Sequence, residues 1–336
     1  KNGEFSVFGA SGYIGSVDFY QQGYPYVAVV KDGAGIGRAM LCPGKTSVIG
    51  TMQYLLPKDN ILPKYLFYVV KYMNLEKYFT GATIPHIYFK DYKNEEFNFD
   101  FWERQVEIVS VLSKCEKVID LCKQELQLLD KLIKARFVEL FGDPVSNSYG
   151  LPEATLPDLG EFGRGVSKHR PRNDIKLLGG KYPLIQTGDV ANAGLYITSY
   201  SSTYSELGLK QSKMWDKGTL CITIAANIAK TAILEFDACF PDSVVGFIAN
   251  ERTNNIFVHY WFSFFQAILE SQAPESAQKN INLKILSELK VIVPEKRKQD
   301  QFASFVKLTD KSKVAVQKAL DEAQLLFDSL MQEYFG

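Results

Sequence analysis

Apolar positions follow two regimes along this chain of 336 residues. Over 102–141 they fall at Ile108, Leu112, Cys115, Ile119, Cys122, Leu126, Leu129 and Ile133, in steps of four and three, uninterrupted by Pro or Gly. That spacing is a heptad seam; it predicts one long helix with a helical partner. Gly142-Asp143-Pro144 stops it, with Gly just past the last turn and Pro beyond. A second long helix is predicted over about 297–335, its seam reading Phe302, Val306, Thr309, Lys313, Val316, Leu320, Ala323, Phe327 and Leu330. Thr309 and Lys313 put polar groups mid-seam, which weakens a generic seam but can fix its register. At 1.5 Å per residue each helix is roughly 60 Å long. Neither buries its seam alone, so each is expected to pack on the other.

The second regime is shorter. β-Rich runs at Tyr26–Val30, 220–224, 231–236, Val244–Ala249 and 289–293 predict strands. Aromatic stripes over 62–72 and 258–269 predict helices, and Gly and Ser clusters punctuate the rest. These segments read as small, curved α+β domains.

The chain also repeats itself. Phe141-Gly142 ends the first long helix and Phe335-Gly336 the second; at that one offset Gln105 falls on Gln299, Ser110 on Ser304, Leu132 on Leu326 and Glu139 on Glu333. Upstream, Lys90 falls on Lys284, Ile87 on Ile281, and Tyr65-Leu66-Phe67-Tyr68 on His259-Tyr260-Trp261-Phe262. With small slips, Val48-Ile49-Gly50 meets Val244-Val245-Gly246, and Gly35-Ile36 meets Asn227-Ile228. Gly3-Glu4-Phe5 aligns with Gly180-Lys181-Tyr182, which leaves 151–179 with no counterpart at the start of the first copy. The fold class expected is α+β: a tandem duplication of two similar globular domains with a pair of long coiled-coil helices between them. Its parts are a first globular domain at 1–100, short at its start, a helix at 101–142, a linker at 143–150, a second globular domain at 151–295 and a second helix at 296–336. Lys1 opens inside a patterned segment and not on a Met, so the sequence is expected to be a piece of a longer chain.

Composition narrows the function classes. An apolar share of 46% is enough for a packed core in each domain and excludes disorder of the whole chain. Five cysteines, an odd count without a CxxC pair, exclude a disulfide scaffold and a zinc ribbon, and point to a reducing, cytoplasmic compartment. No apolar run is long enough for a spanning helix, so no membrane role is expected. Lys+Arg 38 against Asp+Glu 38 leaves no overall basic excess, so an anionic partner must be held by local patches.

Several apparent motifs dissolve on inspection. Cys42-Pro43-Gly44-Lys45-Thr46 lacks the earlier Gly of a phosphate loop and leads into a strand-like run; a hairpin turn explains it better. Gly33-Ala34-Gly35-Ile36-Gly37 lacks the third Gly and the acidic residue of a dinucleotide site, and reads as a tight turn. His86, His169 and His259 stand apart from ligand-spaced carboxylates, with His259 expected at the edge of a core. Cys115 and Cys122 belong to the seam. Asp242 and Glu251 are a faint echo of a nuclease carboxylate pair, without the further ligands such a metal site needs. No catalytic constellation emerges.

Polar and basic loops remain. Arg164, Lys168, His169, Arg170, Arg172 and Asn173 crowd one segment with Gly165 and Pro171, followed by Lys176 and Lys181. Such single-sign clustering suits phosphate oxygens. Gln186, Thr187, Asp189 and Asn192 form a second loop; Lys210, Gln211 and Lys213 a third; Gln278, Lys279 and Asn280 a fourth. Asn and Gln can pair with adenine edges, Lys and Arg with guanine. The opposite numbers in the first copy are Ser11, Tyr13, Lys31, Arg38, Thr80, Thr83 and His86. All of these are candidate DNA contacts, and for each single residue a solvated loop side chain is an equal alternative.

With those residues in place the chain resembles the DNA-specificity (S) subunits of type I restriction–modification systems. The likeness is carried by Ser167-Lys168-His169-Arg170-Pro171-Arg172-Asn173, by Gly179-Gly180-Lys181-Tyr182-Pro183-Leu184-Ile185-Gln186-Thr187-Gly188-Asp189-Val190 and by Phe137-Val138-Glu139-Leu140-Phe141-Gly142-Asp143-Pro144, together with the duplication. It covers the chain apart from the missing start. The resemblance implies two target-recognition domains, each reading half of a bipartite double-stranded DNA site, separated by antiparallel helices that set the spacing. It implies methyltransferase (modification) subunits docked on helices and domains, and a restriction/translocase subunit. S-adenosylmethionine, ATP and Mg are then expected only on those partners, and this chain is expected to catalyse nothing. The first domain lacks a counterpart of residues 164–173. The alternative reading is a helical interaction scaffold that does not bind specific DNA.

The helix pair, taken as a ruler, makes a prediction. Removing four residues from one long helix shortens it by about 6 Å, so the spacer of the methylated target, read by methylome sequencing, should change or modification should fall. An unchanged spacer at full modification contradicts the ruler.

Overall fold

The computed structural model describes residues 3–79, 85–225, 228–272, 281 and 283–336. Two long helices dominate the element order, Trp102–Phe141 and Lys296–Phe335, of 40 residues each. The chain divides into two compact units. One comprises Lys1–Glu125 with Val316–Gly336, the other Leu126–Ala315. Each unit thus holds one globular part, the start of its own long helix and the end of the other.

Burial follows the heptad reading. Ile108, Leu112, Ile119 and Ile133 are buried on the first helix, Phe302, Val306, Thr309 and Phe327 on the second, and the remaining seam positions are half-buried. Two helices alone cannot fully cover a seam, which accounts for the partial exposure at its centre. The helices run in opposite directions within each unit. In the first, the Arg104 guanidinium lies over the Tyr334 ring at 5.4 Å, and Ile108, Leu112 and Ile119 share a core with Phe327, Met331 and Phe335. In the second, Arg136 lies 6.0 Å over Phe305, and Phe137 meets Phe302 edge-on at 5.3 Å. Both polar seam residues find partners: Thr309 donates to the Phe305 carbonyl at 3.0 Å, and Lys313 reaches Asp130 across the pair at 2.7 Å.

The end of one helix closes the other copy's core. Phe335 packs against Tyr65 at 5.5 Å and Phe327 against Tyr68 at 6.2 Å, both on the helix Pro63–Tyr72. In the equivalent place Phe141 and Phe137 lie 5.1 and 5.3 Å from Phe257, on the helix Asn255–Gln272. Proline at the first turn of the shorter helix starts it without an orphaned N–H.

The duplication persists in the strands. In the first unit Tyr26–Val30 is central between Ala39–Cys42 and Met52–Leu55, all antiparallel. In the second, Leu220–Thr223 is central between Thr231–Leu234 and Val244–Ala249. A smaller sheet repeats too. Phe5–Gly9 pairs with Gly12–Val17 antiparallel and with Ser47–Val48 in parallel; Leu178–Leu184 pairs with Ser202–Tyr204 antiparallel and with Ala238–Cys239 in parallel. Topology therefore sets Ser47–Val48 against Ala238–Cys239 and corrects the sequence match of Val48 with Val244. The chain between those strands has a different length in each copy, which a comparison of short apolar runs does not detect. The second unit adds Gly160–Arg164 beside Val244–Ala249, and among the described residues the first unit has no counterpart of it.

The glycines of 33–37 turn the hairpin between Tyr26–Val30 and Ala39–Cys42, with φ near +80° at Gly33, Gly35 and Gly37. Residues 43–46 also form a turn, but they carry the chain from one sheet to another and close no hairpin. His259 lies at the core edge, bonded to the Thr231 hydroxyl at 2.9 Å. Burial, with the Lys313 ammonium adding to it, pushes its imidazole pKa down to about 4. Among the described residues no helix is long and apolar enough to cross a membrane.

The repeated glutamines sit where each long helix begins, and both are fully buried. Gln105 accepts from the Leu62 N–H at 2.9 Å and donates to the Asn60 and Asp100 carbonyls at 3.0 and 2.9 Å. Gln299 accepts from the Thr253 hydroxyl at 2.8 Å and donates to the Arg252 and Pro294 carbonyls at 3.0 and 2.8 Å. Each tethers its helix to the loop before the shorter aromatic helix. Truncation leaves those buried groups unpaired, so Gln105→Ala and Gln299→Ala should each cost at least about 2 kcal/mol in urea unfolding, against almost nothing for the exposed Gln317→Ala.

Candidate functional site

The basic segment leaves the end of the strand Gly160–Arg164. Gly165 makes the departure possible: a Cβ there would lie 2.2 Å from the Phe240 carbonyl oxygen, so only glycine passes this close. Its N–H donates to Val244 at 2.9 Å. The loop then settles on residues 211–212. The Gln211 amide oxygen accepts from the N–H groups of Lys168 and His169 at 2.7 and 3.0 Å, and the Ser212 hydroxyl donates to the Val166 carbonyl at 2.8 Å. Arg170 donates to the Ser167 and His169 carbonyls at 2.6 and 2.9 Å, closing the loop on itself. His169 faces Asp174 at 3.1 Å. The Lys176 N–H, with His169 adding to it, holds the Asp174 carboxyl below the usual carboxylate range.

Asp242 lies just before the strand Val244–Ala249, which pairs with Gly160–Arg164, and faces this loop. One carboxylate oxygen lies 3.5 Å from Arg170 and the other pairs closely with Arg172. These side chains remain a third to a half exposed, so the pairs are weak and another anion can replace the carboxylate. Asp242 and Glu251 flank opposite ends of the strand Val244–Ala249. Six residues of strand separate them by about 20 Å, so they do not form a nuclease pair. Among the described residues no three His, Cys, Asp or Glu side chains converge as a metal site.

A cavity of about 200 Å³ opens between the loop and residues 184–187; Ser167, Arg172, Asn173, Gln186 and Thr187 border it. Three sequence-distant segments thus converge: 167–173, 186–187 and 211. The other candidates do not join them. Asp189 accepts from the Gln186 N–H at 2.7 Å and supports the start of the short helix Thr187–Asn192, where Asn192 is exposed at the last position. Lys210 is exposed at the end of Glu206–Lys210. Lys213 pairs with Glu161 at 2.7 Å, its ammonium 3.7 Å from the Trp215 ring centre. Arg164 is exposed at its strand's end.

In the first unit, Arg38 donates to the Ala10 carbonyl at 2.6 Å, beside exposed Ser11. Tyr13 is 62% exposed, with its hydroxyl 2.9 Å from that of Ser16. His86 pairs with Asp32 and has its ring centre 4.0 Å from that of Tyr88, and the Lys31 carbonyl accepts from Ile87 at 2.9 Å. Thr80, Thr83, Gln278, Lys279 and Asn280 lie outside the described residues. Gln211, a candidate contact in the sequence, has its amide oxygen engaged in shaping the loop. Asp242, a decoy in the sequence, holds two arginines with its carboxylate. No local spacing links either residue to the segment it serves.

The chain matches the family model of the type I restriction modification DNA specificity domain over residues 1–131 and again over 153–323. It is 22% identical over 292 residues to the MjaX type I restriction enzyme specificity subunit of Methanocaldococcus jannaschii, a match spanning 82% of this chain and 68% of that one. With the MjaIX specificity subunit of the same organism it shares 26% over 179 residues, 48% of this chain and 40% of that one. Among solved structures, the S subunit of a type I restriction–modification system from M. genitalium superposes with a TM-score of 0.63 at 18% identity, covering 99% of this chain and 89% of that one. A chain from a study of type I R-M complex assembly gives 0.52 at 12%, covering 99% and 92%. At these identities the structural likeness is one of fold.

Replacing Gln211 by Leu removes the acceptor shared by two loop amides. Hydrogen exchange at Lys168 and His169 should quicken roughly five- to tenfold, the worth of a net hydrogen bond of about 1–1.5 kcal/mol; unchanged protection means the loop does not depend on Gln211.

Proposed function

Because the chain belongs to the type I restriction–modification DNA specificity family, we propose that it is the sequence-reading subunit of such a system, each globular part reading one half of a bipartite DNA site. The observation that carries this reading is the double match of the specificity domain, 1–131 and 153–323, on a fold whose strands and long helices are themselves duplicated. Two related but diverged readers on one chain suit a target made of two unlike halves.

In this reading the second unit approaches phosphates with Lys168, Arg170 and Arg172, and base edges with Asn173 and Gln186. Arg38, Lys31 and His86 are the proposed contacts of the first. The long helices set the spacing and offer a surface to methyltransferase subunits, and a restriction/translocase subunit completes the assembly. S-adenosylmethionine, ATP and Mg act on those partners, in the cytoplasm, while this chain binds and orients without catalysing. Asp242 stands in for a phosphate while DNA is absent, so binding exchanges one anion for another at the two arginines.

The test is binding of the chain, assembled with its methyltransferase subunits, to a random duplex library. Equal affinity for random and selected duplexes would falsify the reading. Replacing Arg170 and Arg172 by Ala should weaken binding to all sequences and lower the slope of log K against log salt by about 2, one per lost phosphate contact. Asp242→Asn should act in the opposite sense and strengthen binding to non-target duplex several-fold at low salt. Both are measured by fluorescence anisotropy across a salt series.

A further inference from the structure

The cavity beside the basic loop has properties that phosphate contact does not explain. We propose that it is a pocket for a single nucleobase, which rests on the DNA-reading role proposed above. Its volume of about 200 Å³ far exceeds the roughly 10–15 Å³ that holds one water. It also falls below the roughly 300–1,000 Å³ of pockets that hold drug-sized ligands. One planar ring fits that interval.

The lining is divided in character. Leu178, Leu184 and Pro241 give it apolar walls, joined by Tyr204, which is only 2% exposed. The polar members are amides and hydroxyls, with no carboxylate among them, and Arg172 is the one cation. Apolar walls suit the faces of a base, and Asn173 and Gln186 suit its donor–acceptor edge. A bare anion has no use for such walls.

Ser167 supplies the independent observation. It borders the cavity and is 7% exposed, and its buried hydroxyl has no hydrogen-bond partner. Buried polar groups are nearly always paired in folded proteins. A base edge seated in the cavity, with a small shift of the loop that uncovers this hydroxyl, completes it. The fold holds the hydroxyl beside the cavity, since the neighbouring Lys168 N–H is fixed on Gln211 and the Ser167 carbonyl accepts from Arg170. Arg172, at the same cavity and paired with Asp242, is placed for the phosphate of the nucleotide whose base enters. The base comes either from a nucleotide swung out of a duplex or from a free nucleoside.

The experiment uses the full chain assembled with its methyltransferase subunits, and duplexes carrying 2-aminopurine at successive positions of the half-site. One position should brighten several-fold on binding. The brightening should fall to the level of free duplex in Ser167→Val and Gln186→Ala, while the stability of Ser167→Val stays equal or rises, since an unpaired hydroxyl is removed. Gln186→Ala should also weaken target binding by roughly tenfold, within the range of one good base contact. Sequence-selective binding with no position brightening overturns the pocket and leaves the reader role intact. If selective binding is itself absent, the reader role fails, and saturation-transfer NMR with millimolar deoxynucleosides decides: a signal lost in Ser167→Val supports a free-nucleoside pocket, and no signal overturns it.

Discussion

The structure depends on burial of a heptad seam that no single segment of the chain can cover. Each long helix presents an apolar stripe, and the economical cover is the other helix running the opposite way. The consequence goes beyond two packed helices. Each compact unit is completed by residues from the far end of the chain, Phe327, Met331 and Phe335 in one, Ile133, Phe137 and Phe141 in the other. Neither globular part has a complete aromatic core without the helix that ends the opposite copy.

Polar groups give this apolar scheme its register. A seam of aliphatic and aromatic residues tolerates sliding, because neighbouring turns offer similar surfaces. Lys313 on Asp130 picks one alignment of the helices. The buried amides of Gln105 and Gln299 tie each helix start to the chain before the shorter aromatic helix, through bonds on both amide atoms. Burying an amide is unfavourable unless it is satisfied, and here it is satisfied in only one arrangement.

On this frame the second unit holds a loop whose own interactions are modest. Its arginines are partly exposed and paired to a replaceable carboxylate, while its backbone rests on Gln211 and Ser212. A firm backbone with exchangeable charges suits binding to a polyanion, because ordering costs are met before binding and the ion pairs are traded rather than lost. The adjoining cavity adds apolar walls and polar side chains to that charge.

The sequence by itself determined the long-range pattern and some of the elements: the heptads, the stop at Gly142, the repeat offset, the strands Tyr26–Val30 and Val244–Ala249, and the basic character of the 164–173 segment. These are legible because they rest on local periodicity or on a match between two copies in the same chain. The pairing of Ser47–Val48, the use of Gln211 as a loop support, the capture of Arg170 and Arg172 by Asp242 and the unpaired Ser167 hydroxyl were decided only by tertiary structure. Each joins residues tens of positions apart through a single hydrogen bond, ion pair or cavity wall, and such contacts leave no period in the sequence. The physical reason is one of range: a seam or strand repeats its signal over many residues, whereas a site is made by the fold from single side chains.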